Sequence, residues 1–101
     1  GQQIDGPTDK VMSLGNLRQK FDAFGWQTLE MNGNDMDEVV LTLEKAKSLT
    51  GQGKPIAILM HTAMGRGVDF MEGTHEWHGI APNKDQLEKA MAQLEETLGD
   101  Y

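Results

Sequence analysis

Leu17, Phe21 and Phe24 fall at i, i+4 and i+7, the spacing that lines one face of a 3.6-residue helix. Asn16 precedes them with a side-chain oxygen suited to an orphan backbone N–H. Gly25 follows, where helices commonly end in the left-handed region. These signals predict a helix near 16–24. The period then shortens to two: Trp26, Thr28 and Glu30 face one way, and Gln27, Leu29 and Met31 the other, a strand near 26–31. Asn32-Gly33-Asn34-Asp35 reads as a turn. Met36, Val39, Val40, Leu43 and Ala46 restore the helical stripe, near 36–50. Asp35 and Glu38 match an acidic capping box, and Lys45 and Lys47 sit where the helix dipole favours cations. Pro55 to Met60 is a continuous apolar run, the mark of a strand buried on both faces, near 55–62. Asn83 with Gln86 opens the last helix, near 84–98. Leu87, Ala90, Met91, Leu94 and Leu98 line it, and Gly99 closes it.

This order predicts an α/β fold in which both strands run parallel and are joined by a right-handed crossover. Asp5-Gly6-Pro7 near the start is turn chemistry. A parallel pair of strands with three helices leaves sheet edges and apolar faces uncovered. The 101 residues are therefore expected to be one partial domain, completed by a larger domain or by an oligomer. Between the second strand and the last helix lies a loop of about 20 residues, long for a connection. With the end of the strand included, from Leu59 to Pro82, this stretch holds four glycines and all three histidines of the chain. A Gly-rich loop leaving a strand is where open α/β folds place ligands.

Lys and Arg number 9 against 16 Asp and Glu, a formal net charge of −7. That balance disfavours nonspecific nucleic acid or anionic membrane as partners. It leaves room for one small anion at a local site. The absence of cysteine excludes disulfides, Cys-based zinc sites and thiol nucleophiles. No apolar run approaches the ~20 residues of a membrane span, and no signal-peptide pattern is visible. Within the loop, Gly65-Arg66-Gly67 has the backbone donors and guanidinium to wrap an anion, the plain alternative being a flexible turn. His75 and His78 form a His-x-x-His pair, but no further ligand at zinc spacing supports it. His61, at the end of a buried strand, reads as a structural histidine. The acidic last helix reads as a solvated face.

Several linked segments then carry a resemblance. Gly1-Gln2-Gln3-Ile4-Asp5-Gly6-Pro7-Thr8, Lys20-Phe21-Asp22-Ala23-Phe24-Gly25-Trp26, Lys54-Pro55, Gly65-Arg66-Gly67-Val68, Phe70-Met71-Glu72, and Trp77-His78-Gly79 with Ala81-Pro82 occur in order. The chain resembles transketolase over essentially its whole length. Asn32-Gly33-Asn34-Asp35 departs from the family's Asp-Gly-His-Asp, and His61 stands where the family usually has Lys. A relative such as dihydroxyacetone synthase or deoxyxylulose-phosphate synthase is a further reading, and Ile4-Asp5-Gly6-Pro7-Thr8 with Trp77-His78-Gly79 favours transketolase among these.

The resemblance implies the C-terminal part of the first, cofactor-binding domain, as in the N-terminal subunit of split transketolases. It implies thiamine diphosphate with Mg²⁺ or Ca²⁺. The reaction implied moves a two-carbon ketol unit from a ketose phosphate to an aldose phosphate, in cytoplasmic pentose phosphate metabolism. By this likeness the Gln2 main-chain carbonyl is a metal ligand. Ile4, Met64, Gly65 and His78 lie against the cofactor, and His78 is also catalytic. For Met64 and Ile4 the plain alternative is core packing, and for Gln2 a frayed terminal residue. The Gly-Asp-Gly segment and the Asn that complete the metal site lie outside these residues. The isolated chain is therefore expected to bind no cofactor and to be inactive. Its expected partners are the upstream half of the domain, the remaining domains or subunit, sugar phosphates and a second copy of itself. The other reading is a non-catalytic, self-associating remnant.

Overall fold

The computed structural model describes residues 1–95. The chain opens with β1 (Gln2–Gln3) and β2 (Gly6–Pro7), a short antiparallel hairpin with Gln2 opposite Pro7 and Gln3 opposite Gly6. Its turn is Ile4-Asp5, and α1 (Thr8–Val11) follows directly. The apolar pattern shows none of these, because two-residue strands and a single helical turn are too short to display a period.

In α2 (Leu17–Ala23), the Asn16 Oδ1 accepts the Gln19 N–H at 2.9 Å, as its position predicts. The chain leaves through Gly25 at φ 82°. Phe24 is exposed, so only Leu17 and Phe21 of the expected face turn inward. Trp26 stays outside the next strand. Its N–H bonds the Phe21 carbonyl at 3.0 Å and its ring meets Phe21 edge-on at 5.3 Å.

β3 (Gln27–Asn32) and β4 (Ile56–His61) pair in parallel, from Gln27 opposite Ile56 to Asn32 opposite His61. The connection between them is α3 (Met36–Ser48). The unit is α/β with parallel strands, as the period switch predicts. Leu29 and Met31 of β3, Ala57 of β4 and Ala46 of α3 are buried, and Thr28 is buried on the other face. α2 lies against both strands and α3 against β3.

Three expectations need correction. Asp35 caps α3 by accepting from Asp37 and Glu38 N–H, but the box is not reciprocal. The Glu38 carboxylate instead takes the Asn32 N–H at 2.6 Å, pinning the end of β3. β4 is not buried on both faces: Met60 is 52% exposed, since among the described residues no second layer covers that side. The last helix, α4 (Lys84–Met91), ends before 98. Gln93 is drawn off to the loop, where its amide exchanges two 2.8 Å bonds with Asp69. Its capping box is present, Asn83 and Gln86 each accepting from the other's backbone at 2.9 Å. Leu98 and Gly99 lie outside the described residues.

The molecule is a slab of 52 × 38 × 16 Å with a radius of gyration of 17.3 Å. A compact domain of this length measures about 13 Å. The difference reflects one small sheet with apolar side chains left open, Met36, Val40 and Leu43 of α3 among them. Among the described residues no helix is long and apolar enough to cross a membrane.

Candidate functional site

The stretch from Thr62 to Pro82 has no regular structure, yet it is closed by its own bonds. The Gly73 N–H donates to the Met64 carbonyl at 2.8 Å, joining residues 64–73 into a ring. Inside it, Val68 N–H donates to the Gly65 carbonyl at 3.2 Å, and Met71 and Glu72 N–H both reach the Val68 carbonyl at 2.9 Å. Val68 fills the middle, only 6% exposed. Gly65 sits at φ 69° with the Met71 carbonyl directly against it, so a Cβ there would collide with backbone. A ring this tight needs glycine at that position.

The expected anion cradle at Gly65-Arg66-Gly67 is already taken. The Arg66 guanidinium bonds one Glu72 oxygen at 2.8 Å, and the Gly67 N–H bonds the other at 3.3 Å. These donors, Arg66 first, hold the Glu72 carboxyl below its usual range. In this structure these donors therefore clasp the loop through a carboxylate six residues away. The identity of an arginine and a later glutamate gives no hint of this pairing.

Beyond the ring, Trp77 donates its indole N–H to the Phe70 carbonyl at 3.1 Å, and the two rings meet edge-on at 5.4 Å. His78 follows on this anchor, its N–H bonded to the His75 carbonyl at 3.0 Å, with its side chain exposed. Among the described residues no three His, Asp or Glu side chains converge as a metal cage, which leaves the His75/His78 pair without partners for zinc.

The N-terminal hairpin reaches this loop. Gln2 Nε2 donates to the Gly73 carbonyl at 2.7 Å. Gln2, Met64 and Gly65 are thereby brought together through Gly73. The Thr8 N–H donates to the Gly1 carbonyl at 2.9 Å, which makes Gln2 and Pro7 the non-hydrogen-bonded pair of the hairpin. The Gln2 carbonyl therefore points away from β2 and is free for another partner. Its side-chain Oε1 is buried with no partner among the described residues. Ile4 stands in the hairpin turn, 61% exposed. No described hydrogen bond links His78 to Gln2 or Ile4.

An open cleft of about 910 Å³ lies at the C-terminal ends of β3 and β4 and reaches the hairpin and the loop, lined in part by Gly1, Thr8, Arg18, Glu30, His61 and Arg66. His61 is not the buried structural histidine its position suggests. Its side chain is mostly exposed, and Nε2 lies 3.1 Å from Glu30 Oε2. That bond, with a second from Arg18 at 3.3 Å, holds the Glu30 carboxyl below its usual range. Asn34 accepts the Ala63 N–H at 2.7 Å and ties the turn after β3 to the start of the loop.

The residues present fit one side of a cofactor and metal site: an outward carbonyl, an exposed isoleucine and a loop closed by its own hydrogen bonds. A family model described as transketolase, thiamine diphosphate binding domain, matches residues 2–99. The chain is 40% identical over 96 residues to one of the subunits of the apulose-4-phosphate transketolase of Phocaeicola vulgatus, covering 95% of this chain and 34% of that protein. It is 39% identical over 93 residues to the SqwG subunit of a 6-deoxy-6-sulfo-D-fructose transketolase from a Clostridium species, covering 92% and 33%. It is 35% identical over 96 residues to a transketolase of Sinorhizobium medicae, covering 95% and 13%. The chain thus spans about a third of the length of the first two relatives. With the match running through hairpin, sheet, loop and last helix alike, the chain belongs to the transketolase family, in its thiamine diphosphate binding domain.

Proposed function

We propose that residues 1–101 form one partial domain, the C-terminal part of the cofactor-binding domain of a transketolase that transfers a two-carbon ketol unit between sugar phosphates. The carrying observation is the meeting of Gln2 and Met64 at Gly73, which sets an outward carbonyl beside a hydrogen-bonded loop. In this reading the Gln2 carbonyl is one oxygen ligand of Mg²⁺ or Ca²⁺, cations that accept such oxygens. Ile4, Met64 and Gly65 form an apolar wall and a close backbone approach for the cofactor. When bound, thiamine diphosphate supplies the carbon nucleophile and electron sink, and the protein supplies position and electrostatics. His78, held at the loop rim by the Trp77 anchor, offers an exposed imidazole to take or give a proton at the sugar.

The relatives named as subunits support a split enzyme, in which this chain works with an upstream half-domain and a partner protein. Sugar-phosphate substrates suit a cytoplasmic enzyme. The exposed Met36, Val40, Leu43 and Met60 favour burial against such partners or a second copy. They equally supply the one argument for a non-catalytic, self-associating module. The isolated chain lacks the metal's other side-chain ligands in this reading and should show no ketol transfer.

The test is ketol-transfer kinetics on the complete enzyme. His78→Ala should lower turnover by about 100-fold or more, as removal of a general acid or base does. His75→Ala should change it little. Equal losses would remove His78 from the site, and a complete enzyme with no transfer would leave the module reading.

A further inference from the structure

Gln2 has a side chain as well as a carbonyl, and the two face different neighbours. The carbonyl points away from β2, while the side chain bonds Gly73, 71 residues further along the chain. Among the described residues this is the one side-chain hydrogen bond from the hairpin to the loop. The hairpin's other ties, Thr8 N–H to the Gly1 carbonyl and Gln3 Nε2 to the Met12 carbonyl, stay within the first twelve residues. A hairpin of two-residue strands does not hold itself in place.

Gly73 is the right residue to grip. Its N–H closes the ring on the Met64 carbonyl at 2.8 Å, and its own carbonyl receives Gln2 at 2.7 Å. One residue's backbone therefore lies between Gln2 and Met64. Only a donor serves here, because the acceptor is a carbonyl. An amide provides the donor but brings an oxygen with it, and the Gln2 Oε1 is buried without a partner among the described residues. An apolar side chain of similar size would avoid that orphan acceptor, so the amide is justified by the bond to Gly73 alone.

We propose that the Gln2 side chain is a positioning residue: through Gly73 it fixes the Gln2 carbonyl and the Met64 wall relative to each other. This rests on the cofactor reading above and deepens it. Bonds that orient a ligand rather than touch the metal set affinity in this way, typically at about 10- to 100-fold.

The experiment is equilibrium binding of Mg²⁺ to the complete enzyme at fixed thiamine diphosphate, wild type against Gln2→Met. Methionine keeps the volume and the main-chain carbonyl and removes the donor. The dissociation constant for Mg²⁺ should rise about tenfold, with the same number of cofactors bound per enzyme once Mg²⁺ saturates. An unchanged dissociation constant would overturn the positioning role. So would a stoichiometry that stays low at saturating Mg²⁺, since that reports a misfolded hairpin and not a displaced ligand. A wild-type enzyme that takes up no cofactor with Mg²⁺ overturns the cofactor reading itself, and the positioning role falls with it. That outcome shows in the wild type, before any variant is compared.

Discussion

The β3–α3–β4 unit and the loop that follows it invert the usual expectation. The unit has in-register parallel strands and a well-capped helix, yet Met36, Val40 and Leu43 of the helix and Met60 of the strand lie open. The loop has no repeating structure, yet Val68 is buried, Phe70 and Trp77 pack edge-on, and the backbone bonds that close the 64–73 ring are local. Regular hydrogen bonding satisfies the backbone, but it says nothing of whether the apolar faces find partners. The loop closes on itself and can present side chains in fixed places. The sheet leaves apolar side chains open.

The hardest blow to the loop's half of that contrast is Gly65→Ala. The new Cβ meets the Met71 backbone at a left-handed φ, so the ring has to open. A cost of about 3 kcal/mol is expected for strain plus lost bonds. The control is Gly51→Ala, at φ 78° with nothing near its Cβ, which should cost about 1 kcal/mol. Amide exchange at Gly73 and Glu72 reads the difference. Equal protection in both variants would mean the ring is not tightly closed.

The sheet's half is tested by association. Met36, Val40 and Leu43 share one face of α3, and lysine at all three should weaken self-association of the isolated chain by roughly tenfold or more, given about 25 cal/mol per Å² of apolar surface. Sedimentation measures it, with helix content by circular dichroism as the check on folding. A wild-type chain that stays monomeric would show that the open faces are tolerated in water. A smaller effect belongs to the loop anchor: Trp77→Phe keeps a ring against Phe70 but loses the 3.1 Å indole bond, for about 1 kcal/mol.

The sequence is legible where a period has room to repeat. α2, α3, α4 and both longer strands follow from spacing, and the caps Asn16, Asp35 and Asn83 from residue type. The hairpin and α1 are too short to show. Exposure of Met60 and His61 is invisible because an apolar run reports what can be buried, not what covers it. In the candidate site, Gln2, Met64 and Gly65 are named by resemblance, but their meeting at Gly73 spans 71 residues and leaves no local pattern. Glu72 is missed as a clasp because its partners are set by the ring's geometry. The role of His78 still rests on resemblance, since its side chain is simply exposed.

The smallest expected effect is acid opening of the loop, and it sharpens the contrast because the clasp lies within the ring, whereas the sheet's comparable pair, Glu30 of β3 with His61 of β4, bridges two strands. Glu72 holds its pKa below the ordinary glutamate value through Arg66 first and the Gly67 N–H second. A carboxyl whose folded pKa is depressed stabilises the fold above its unfolded pKa, here about 4.3. That contribution is complete at neutral pH, begins to decline as the pH falls past that value, and is gone below the folded pKa. The clasp is solvent-exposed, so the effect on global stability is small. Its local signature is loss of exchange protection at Gly67, because the protonated carboxyl is a poorer acceptor for both donors. Glu72→Gln removes the charge and should show the weaker protection at every pH from about 3 to 7, a window set by the glutamate pKa. Arg66→Gln should lose part of it at neutral pH while keeping the acid dependence through Gly67. If the wild type and Glu72→Gln titrate alike, the acid step belongs to another group and the clasp does not hold the ring.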